Sequence, residues 1–62
     1  MKIPEYDKIY KFLINGKVME FKYIGKKGDR LVFEHNNHLT DMPPQRFDYL
    51  YRKCNLSGVV QD

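Results

Sequence analysis

Apolar and polar residues alternate along the first part of the chain, and this pattern predicts two antiparallel strands. The alternation runs through residues 10–14 and 17–24, on either side of Asn15-Gly16. Asn-Gly tolerates the two positive φ angles of a type I′ turn, so the strands should form a two-residue hairpin. This turn fixes the register and places Lys11 opposite Glu20, an opposite-charge pair that a slip of one residue would destroy.

A second hairpin and a short helix follow. Gly25–Asp29 is expected to form a five-residue turn, and residues 30–35 and 38–42 are expected to pair around Asn36-Asn37. Asparagine tolerates the left-handed region that a tight turn requires. Pro43-Pro44 ends the sheet, because neither residue can donate to a ladder. An apolar stripe with helical spacing comes next and should cap the sheet, and its members are Phe47, Leu50 and Tyr51.

The predicted sheet has two unequal faces. Large apolar residues share the predicted core face, and they are Tyr10, Phe12, Ile14, Met19, Phe21, Tyr23, Leu31, Phe33 and Met42. The second face carries apolar residues between charged ones, and the apolar ones are Ile9, Leu13, Val18, Ile24, Val32 and Leu39. Such a face is either an interface or is partly closed by curling of the sheet into a barrel. Curling should hide Ile9 and Ile24, near the strand ends. Val18, Val32 and Leu39 should then stay at least partly exposed.

The meander and the motif that follows it resemble the small SH3-like β-barrel proteins of bacteriophages and prophages. The motif consists of Met42, Pro43, Pro44, Phe47, Leu50 and Tyr51, and the resemblance covers roughly residues 10–53. It implies an all-β fold with one short helix, in which a four-strand antiparallel meander forms an SH3-like small barrel. The motif is hydrophobic and structural, so it carries over no functional residue. Binding of PxxP ligands is not implied, because the chain contains no tryptophan.

The length of 62 residues predicts one domain over residues 1–62, with a core of roughly 9–53. Residues 1–8 and 55–62 are expected to be loosely ordered. Cys54 is the only cysteine, which excludes an intrachain disulfide and favours a reducing compartment. The sequence shows no apolar signal core and no run long enough to span a bilayer. The prediction is therefore a cytoplasmic protein, in the host cytoplasm if the protein is phage-encoded.

Side chains suited to catalysis or metal binding are few and scattered. His35 and His38 flank the second hairpin turn, but a metal site would need two further ligands at a spacing that the sequence does not show. Cys54 follows the helical stripe in a chain too short to shelter a catalytic cleft. The carboxylates stand singly along the chain. The sequence therefore predicts no enzyme activity, no catalytic residue, no metal site and no cofactor.

The leading prediction is a non-catalytic small binding protein, an accessory or phage-type modulator that docks on another protein. Its predicted surface is the second face, with Val18, Val32 and Leu39 as apolar anchors. The polar neighbours of these anchors are Lys11, Lys22 and Glu34. A free sheet edge can contribute to docking by strand addition.

The alternative prediction is a nucleic-acid-binding small barrel that uses a basic turn. Lysines and arginines can follow a phosphate backbone, and the local basic cluster consists of Lys22, Lys26, Lys27 and Arg30. The excess of positive charge over the whole chain is small, because 11 Lys and Arg residues and 8 Asp and Glu residues give a net charge of +3. Homo-oligomerisation through the second face is compatible with either function, and no membrane partner is expected.

Overall fold

Four antiparallel strands in chain order form the sheet of the computed structural model, which describes residues 1–56. The elements are β1 (Ile9–Ile14), β2 (Lys17–Lys27), β3 (Arg30–His35), β4 (His38–Met42) and α1 (Pro44–Lys53). The predicted all-β class with one short helix is confirmed. Of residues 55–62, which the sequence predicts to be loosely ordered, residues 57–62 lie outside the described part of the chain.

The β1–β2 hairpin has the register that the sequence predicts. Lys11 lies opposite Glu20, and Ile14 lies opposite Lys17. Asn15-Gly16 has φ angles of 52° and 77°, as a type I′ turn requires. Asparagine and glycine adopt these angles at little cost, so the local sequence is sufficient to set the pairing of the two strands.

The β2–β3 turn is shorter than predicted, and the five-residue turn over Gly25–Asp29 is wrong. β2 continues to Lys27, which pairs with Arg30, so that only a two-residue turn remains. The ladder shifts by one residue at Gly25, where φ is 151°. A bulge of this kind lets the strand continue past an extra residue, and glycine accepts the backbone angle because it lacks a β-carbon.

The β3–β4 hairpin also has the predicted register, with His35 opposite His38. Asn36-Asn37 closes the turn with φ angles of 52° and 65°. Pro43-Pro44 then changes the course of the chain, because a proline cannot extend the ladder but suits the first turn of a helix. The helix consequently folds back over one face of the sheet.

The core lies between the sheet and α1. Its buried members are Tyr10, Phe12, Phe21, Tyr23, Leu31, Phe33, Met42, Phe47 and Leu50. The fully buried ring of Phe47 lies 5.1 Å from the ring of Tyr10 and 5.7 Å from that of Phe33, measured between centroids. Ile14 and Met19, also predicted for the core face, are only partly buried and pack against the core. Because α1 packs on the core face, it leaves the second face without a covering helix.

The sheet is open in the described part of the chain, so closure into a barrel remains a prediction. β1 and β4 lie at opposite edges of the strand order. After α1 the chain returns to the edge of β1, where the Leu13 amide donates to the Cys54 carbonyl at 2.9 Å. Phe12 forms an isolated antiparallel bridge with Asn55 at the same place. The edge of β1 is thus partly paired by the segment that follows α1.

The N-terminal segment, which the sequence predicts to be loosely ordered, forms hydrogen bonds with both the sheet and the helix. The Asp7 amide donates to the Tyr23 carbonyl at 2.8 Å, and the Tyr23 amide donates to the Lys8 carbonyl at 3.0 Å. The Lys2 amide donates to Oδ1 of Asp48 on α1 at 2.7 Å. Donation from this amide lowers the pKa of the Asp48 carboxyl below its usual value. The segment is therefore attached to both the sheet and the helix.

Candidate functional site

The second face of the sheet keeps much of its apolar surface exposed. Leu39 is 71% exposed, Val18 is 58% exposed and Val32 is half-buried. The predicted hiding of Ile9 is wrong, because the sheet stays open at β1 and Ile9 is 49% exposed. Ile24 is half-buried at the bulge. Single exposed apolar side chains are ordinary, but several on one sheet face are typical of an interface.

The register divides the predicted anchors into two groups. On β3 and β4, Val32 and Leu39 are diagonal neighbours, about 7–8 Å apart. Val18 lies opposite Leu13 on the other hairpin. Across the sheet, Leu39 pairs with Glu34, which in turn pairs with Lys22 on β2. Lys22 lies four residues from Val18, which is about 13 Å along the strand. The structure thus brings two of the predicted anchors together and places Val18 apart from them.

The charged residues of the second face differ in whether they already have a partner. The Lys22 ammonium lies 3.1 Å from Oδ1 of Asp7, and this hydrogen bond raises the pKa of Lys22 above its usual value. Lys11 lies opposite Glu20 and Glu34 lies opposite Lys22 in the ladder. Among residues 1–56, however, no ion pair involves Lys11, Glu20 or Glu34. Both carboxylates can therefore pair with a further cation, although the charge of Glu34 already helps to raise the pKa of Lys22.

A notch interrupts the sheet beside β2, because β2 and β3 differ in length. β2 has 11 residues and β3 has 6, and the ladder between them ends at the pair Lys22–Glu34. In the described part of the chain, no strand lies beside residues 17–20 on that side of β2. The depression that results has a volume of about 650 Å³. Its walls include Val18, Met19, Glu20, Glu34, His35 and Asn36.

Backbone groups of β2 point into this notch. Ile14 and Lys17 flank a two-residue turn, so they exchange both hydrogen bonds, and bonded pairs alternate along β1 and β2 from there. The odd-numbered residues of this part of β2 therefore bond toward β1, whereas Val18 and Glu20 point toward the notch. The Tyr23 amide, which donates toward the β1 side at 3.0 Å, agrees with this alternation.

His35 closes one end of the notch. Its Nδ1 donates to the Glu20 backbone carbonyl at 2.9 Å, and its Nε2 accepts from the side-chain Nδ2 of Asn36 at 3.2 Å. The imidazole also stacks on the ring of Phe21, with centroids 4.7 Å apart. His35 is half-buried, whereas His38 on the other side of the turn is exposed. If the β2–β3 register is extended by one residue, His35 lies opposite Phe21. This pairing is the sequence feature from which the position of His35 beside β2 can be predicted.

The predicted basic cluster is divided by the fold. Lys22 is held by an aspartate, and Arg30 lies 3.3 Å from Oδ1 of Asp41. The bulge turns Lys26 toward the core side of the sheet, while Lys27 shares the second face with Arg30. Lys26 and Lys27 are exposed at the hairpin tip. The aromatic rings close to this turn in sequence are buried, so they offer no platform on which bases can stack.

The described residues contain no cluster of side chains that could hold a metal ion. Among residues 1–56, no group of three or more His, Cys, Asp or Glu side chains comes together. Cys54 is half-buried against the core, and its amide donates to the Leu50 carbonyl at the end of α1. The same residues include no helix long and apolar enough to cross a membrane. The second face and the notch are therefore the features that call for a functional explanation.

The chain matches no family model, and no curated protein or solved structure matches it either. A functional proposal for this chain consequently rests on the geometry of the second face and the notch.

Proposed function

We propose that the chain is a non-catalytic small binding protein that docks on another protein through the second face, as an accessory or phage-type modulator of that protein. The observation that carries the proposal is the exposure of Leu39 and Val18, at 71% and 58%, on a face that α1 does not cover. Burial of one such side chain contributes about 1.5–3 kcal/mol at most, so two or three supply an interface nucleus.

The surroundings of these side chains support a protein partner. Leu39 lies opposite Glu34, and the same row continues through Lys22 to Ile9. Apolar side chains thus lie beside charged ones, so this face offers a partner protein both apolar contacts and polar groups, as protein–protein interfaces do. Leu39 is the most exposed of the apolar side chains that this face carries, and apolar side chains grouped on one sheet face are typical of an interface.

Affinity capture from an extract of the source cells tests the proposal. Wild type, Leu39→Asp, Val18→Asp and the double variant Lys26→Gln with Lys27→Gln serve as baits, each with and without nuclease. We expect wild type and the lysine variant to retain the same protein in both conditions, and Leu39→Asp to lose it while its circular dichroism spectrum stays native. Capture that survives Leu39→Asp and Val18→Asp would contradict docking through this face.

A nucleic-acid-binding function is the second candidate, and the exposed pair Lys26 and Lys27 favours it. Because Lys22 and Arg30 already pair with aspartates, Lys26 and Lys27 are the two members of the basic cluster that form no ion pair among residues 1–56. Binding to duplex DNA should then vary with salt with a log–log slope of about −2, against roughly −3 to −4 if all four contributed. Fluorescence anisotropy at several salt concentrations measures the slope. Tight binding at physiological salt that neutralisation of both lysines abolishes would favour this candidate over docking on a protein.

A further inference from the structure

We propose that the notch is a strand-addition site, in which an extended segment of the partner protein pairs with Val18 and Glu20 of β2. The segment takes the position that β3 would fill if it were as long as β2. This inference rests on the proposed function, because it specifies how the partner protein docks.

The backbone groups of β2 that face the notch favour strand addition there. The alternation of hydrogen bonds points the N–H and C=O groups of Val18 and Glu20 into the notch, one strand spacing of about 4.8 Å from an incoming chain. Within residues 1–56, no backbone hydrogen bond outside the ladder involves either residue. His35 donates to the Glu20 carbonyl, but a carbonyl oxygen has a second lone pair that a partner amide can use. An added strand would satisfy these groups in the way that exposed sheet edges recruit peptides.

The side chains around the notch define the partner segment. The added residue opposite Val18 lies on the second face beside an apolar neighbour, and the one opposite Glu20 lies beside a carboxylate. The residue between them points to the core side, toward the partly buried Met19. Glu20 and Glu34 have no ion pair among residues 1–56, whereas Lys22 is neutralised by its aspartate at 3.1 Å. The partner segment is therefore a lysine or arginine followed or preceded by two apolar residues.

The same chemistry argues against a second copy of the chain in the notch. The exposed edge strand that a second copy would offer is β4, His38–Met42, and it contains no lysine or arginine to meet Glu20. β4 itself is a poorer receptor, because Asp41 already pairs with Arg30 and Pro43 follows the strand without an N–H. An extended segment of another protein, with a cation beside apolar residues, fits the notch better than either arrangement.

Chemical synthesis of the protein allows a test that removes a single N–H. Val18→N-methyl-Val deletes the donor and places a methyl group in the notch, while the valine side chain and its pairing with Leu13 remain. Leu39→N-methyl-Leu is the matched control, because by the same alternation its N–H points to the free edge of β4. The probe is a random library of linear peptides displayed on phage particles. It is selected on wild type and counter-selected on the Val18 variant, and the enriched peptides are then synthesised for titration.

We expect the enriched peptides to carry a lysine or arginine next to two apolar residues. Val18→N-methyl-Val should weaken their binding by about tenfold or more, and Leu39→N-methyl-Leu by less than about twofold. Glu20→Gln combined with Glu34→Gln should weaken binding roughly three- to tenfold and abolish the preference for a cation. Circular dichroism establishes that each variant is folded. If the Val18 variant does not fold, the test rests on the double variant Glu20→Gln with Glu34→Gln. Peptide binding to that variant at wild-type strength would overturn the inference.

Three results would overturn strand addition in the notch. The first is that the enriched peptides lose binding to the Leu39→N-methyl-Leu variant but not to the Val18→N-methyl-Val variant. The second is enrichment of peptides that carry no lysine or arginine. The third is that no peptide distinguishes wild type from the Val18 variant. None of them decides the proposed function. A partner protein that is lost with Leu39→Asp but retained with Val18→N-methyl-Val would leave docking through the second face in place while removing the strand-addition mechanism.

Discussion

Substitution of Leu39 tests whether the second face is a surface or a part of the core. Leu39 is 71% exposed and lies opposite Glu34, in a pair that does not exchange hydrogen bonds because the neighbouring pair His35–His38 flanks the turn. Side chains in such a pair are close. Leu39→Asp would therefore set two carboxylates against each other, whereas Leu39→Lys would form an opposite-charge pair.

The expected magnitudes follow from the exposure and the pairing. Full burial of a leucine contributes about 1.5–3 kcal/mol, and folding hides less than a third of Leu39, so its removal costs roughly 0.5–1 kcal/mol. A like-charge pair opposite Glu34 adds a cost of about 0.2–1 kcal/mol, and an opposite-charge pair contributes a similar amount with the other sign. Leu39→Asp should thus lower the free energy of unfolding by roughly 1–2 kcal/mol, and Leu39→Lys by less than about 1 kcal/mol.

Thermal melts followed by circular dichroism measure this difference. For a domain of this size, about 1 kcal/mol corresponds to a shift of roughly 4–8 °C, so the lysine variant should melt several degrees above the aspartate variant. Both variants should lose partner capture equally, because both remove the apolar anchor. Unfolding of Leu39→Asp at room temperature would show that the second face is core. Equal melting temperatures of the two variants would refute the cross-strand pairing with Glu34.

Gly16→Val should lower the free energy of unfolding by about 1–2 kcal/mol, because a branched residue resists a φ of 77°, and an unchanged thermal melt would remove the basis of the strand alignment. Phe47→Ala should lower the free energy of unfolding by about 3–5 kcal/mol, which is a large part of the total of roughly 3–9 kcal/mol expected for 62 residues. A near-native urea midpoint would contradict the central position of this ring in the core. The lowered pKa of Asp48 contributes stability that is present above the unfolded-state value and is lost as the pH falls through the folded-state value. Asp48→Asn should therefore flatten the loss of stability below about pH 5, and acid unfolding curves that coincide with wild type would disprove this role.

The parts of the fold that depend on short-range chemistry could be predicted from the sequence. Asn15-Gly16 and Asn36-Asn37 each specify a two-residue turn, and such turns fix the pairing of their strands. Parity along those strands then identifies the buried side chains, from Tyr10 to Met42. The stripe of Phe47 and Leu50 follows from helical spacing in the same way.

The remaining features depend on contacts or lengths that have no local signature. The bulge at Gly25 looks like the start of a loop, because glycine is compatible with both, and only the competition between strand pairings decides. The hydrogen bond from Lys2 to Asp48 joins residues 46 positions apart, which no sequence pattern announces. The notch arises from the difference between the lengths of β2 and β3. A sequence prediction that ends β2 at residue 24 therefore does not reveal the notch.

The meander order of the strands has a consequence for how the protein is made. Every strand pairing joins neighbours in the sequence, so the sheet and its second face are encoded by residues 9–42, ahead of the helix that covers the aromatic core. During synthesis at roughly 5–20 residues per second, residues 9–42 therefore leave the ribosome before Phe47 and Leu50, which supply the helix side of the core. Until these two residues follow, the apolar side chains of the strands have no helix to cover them, which exposes the nascent chain to aggregation.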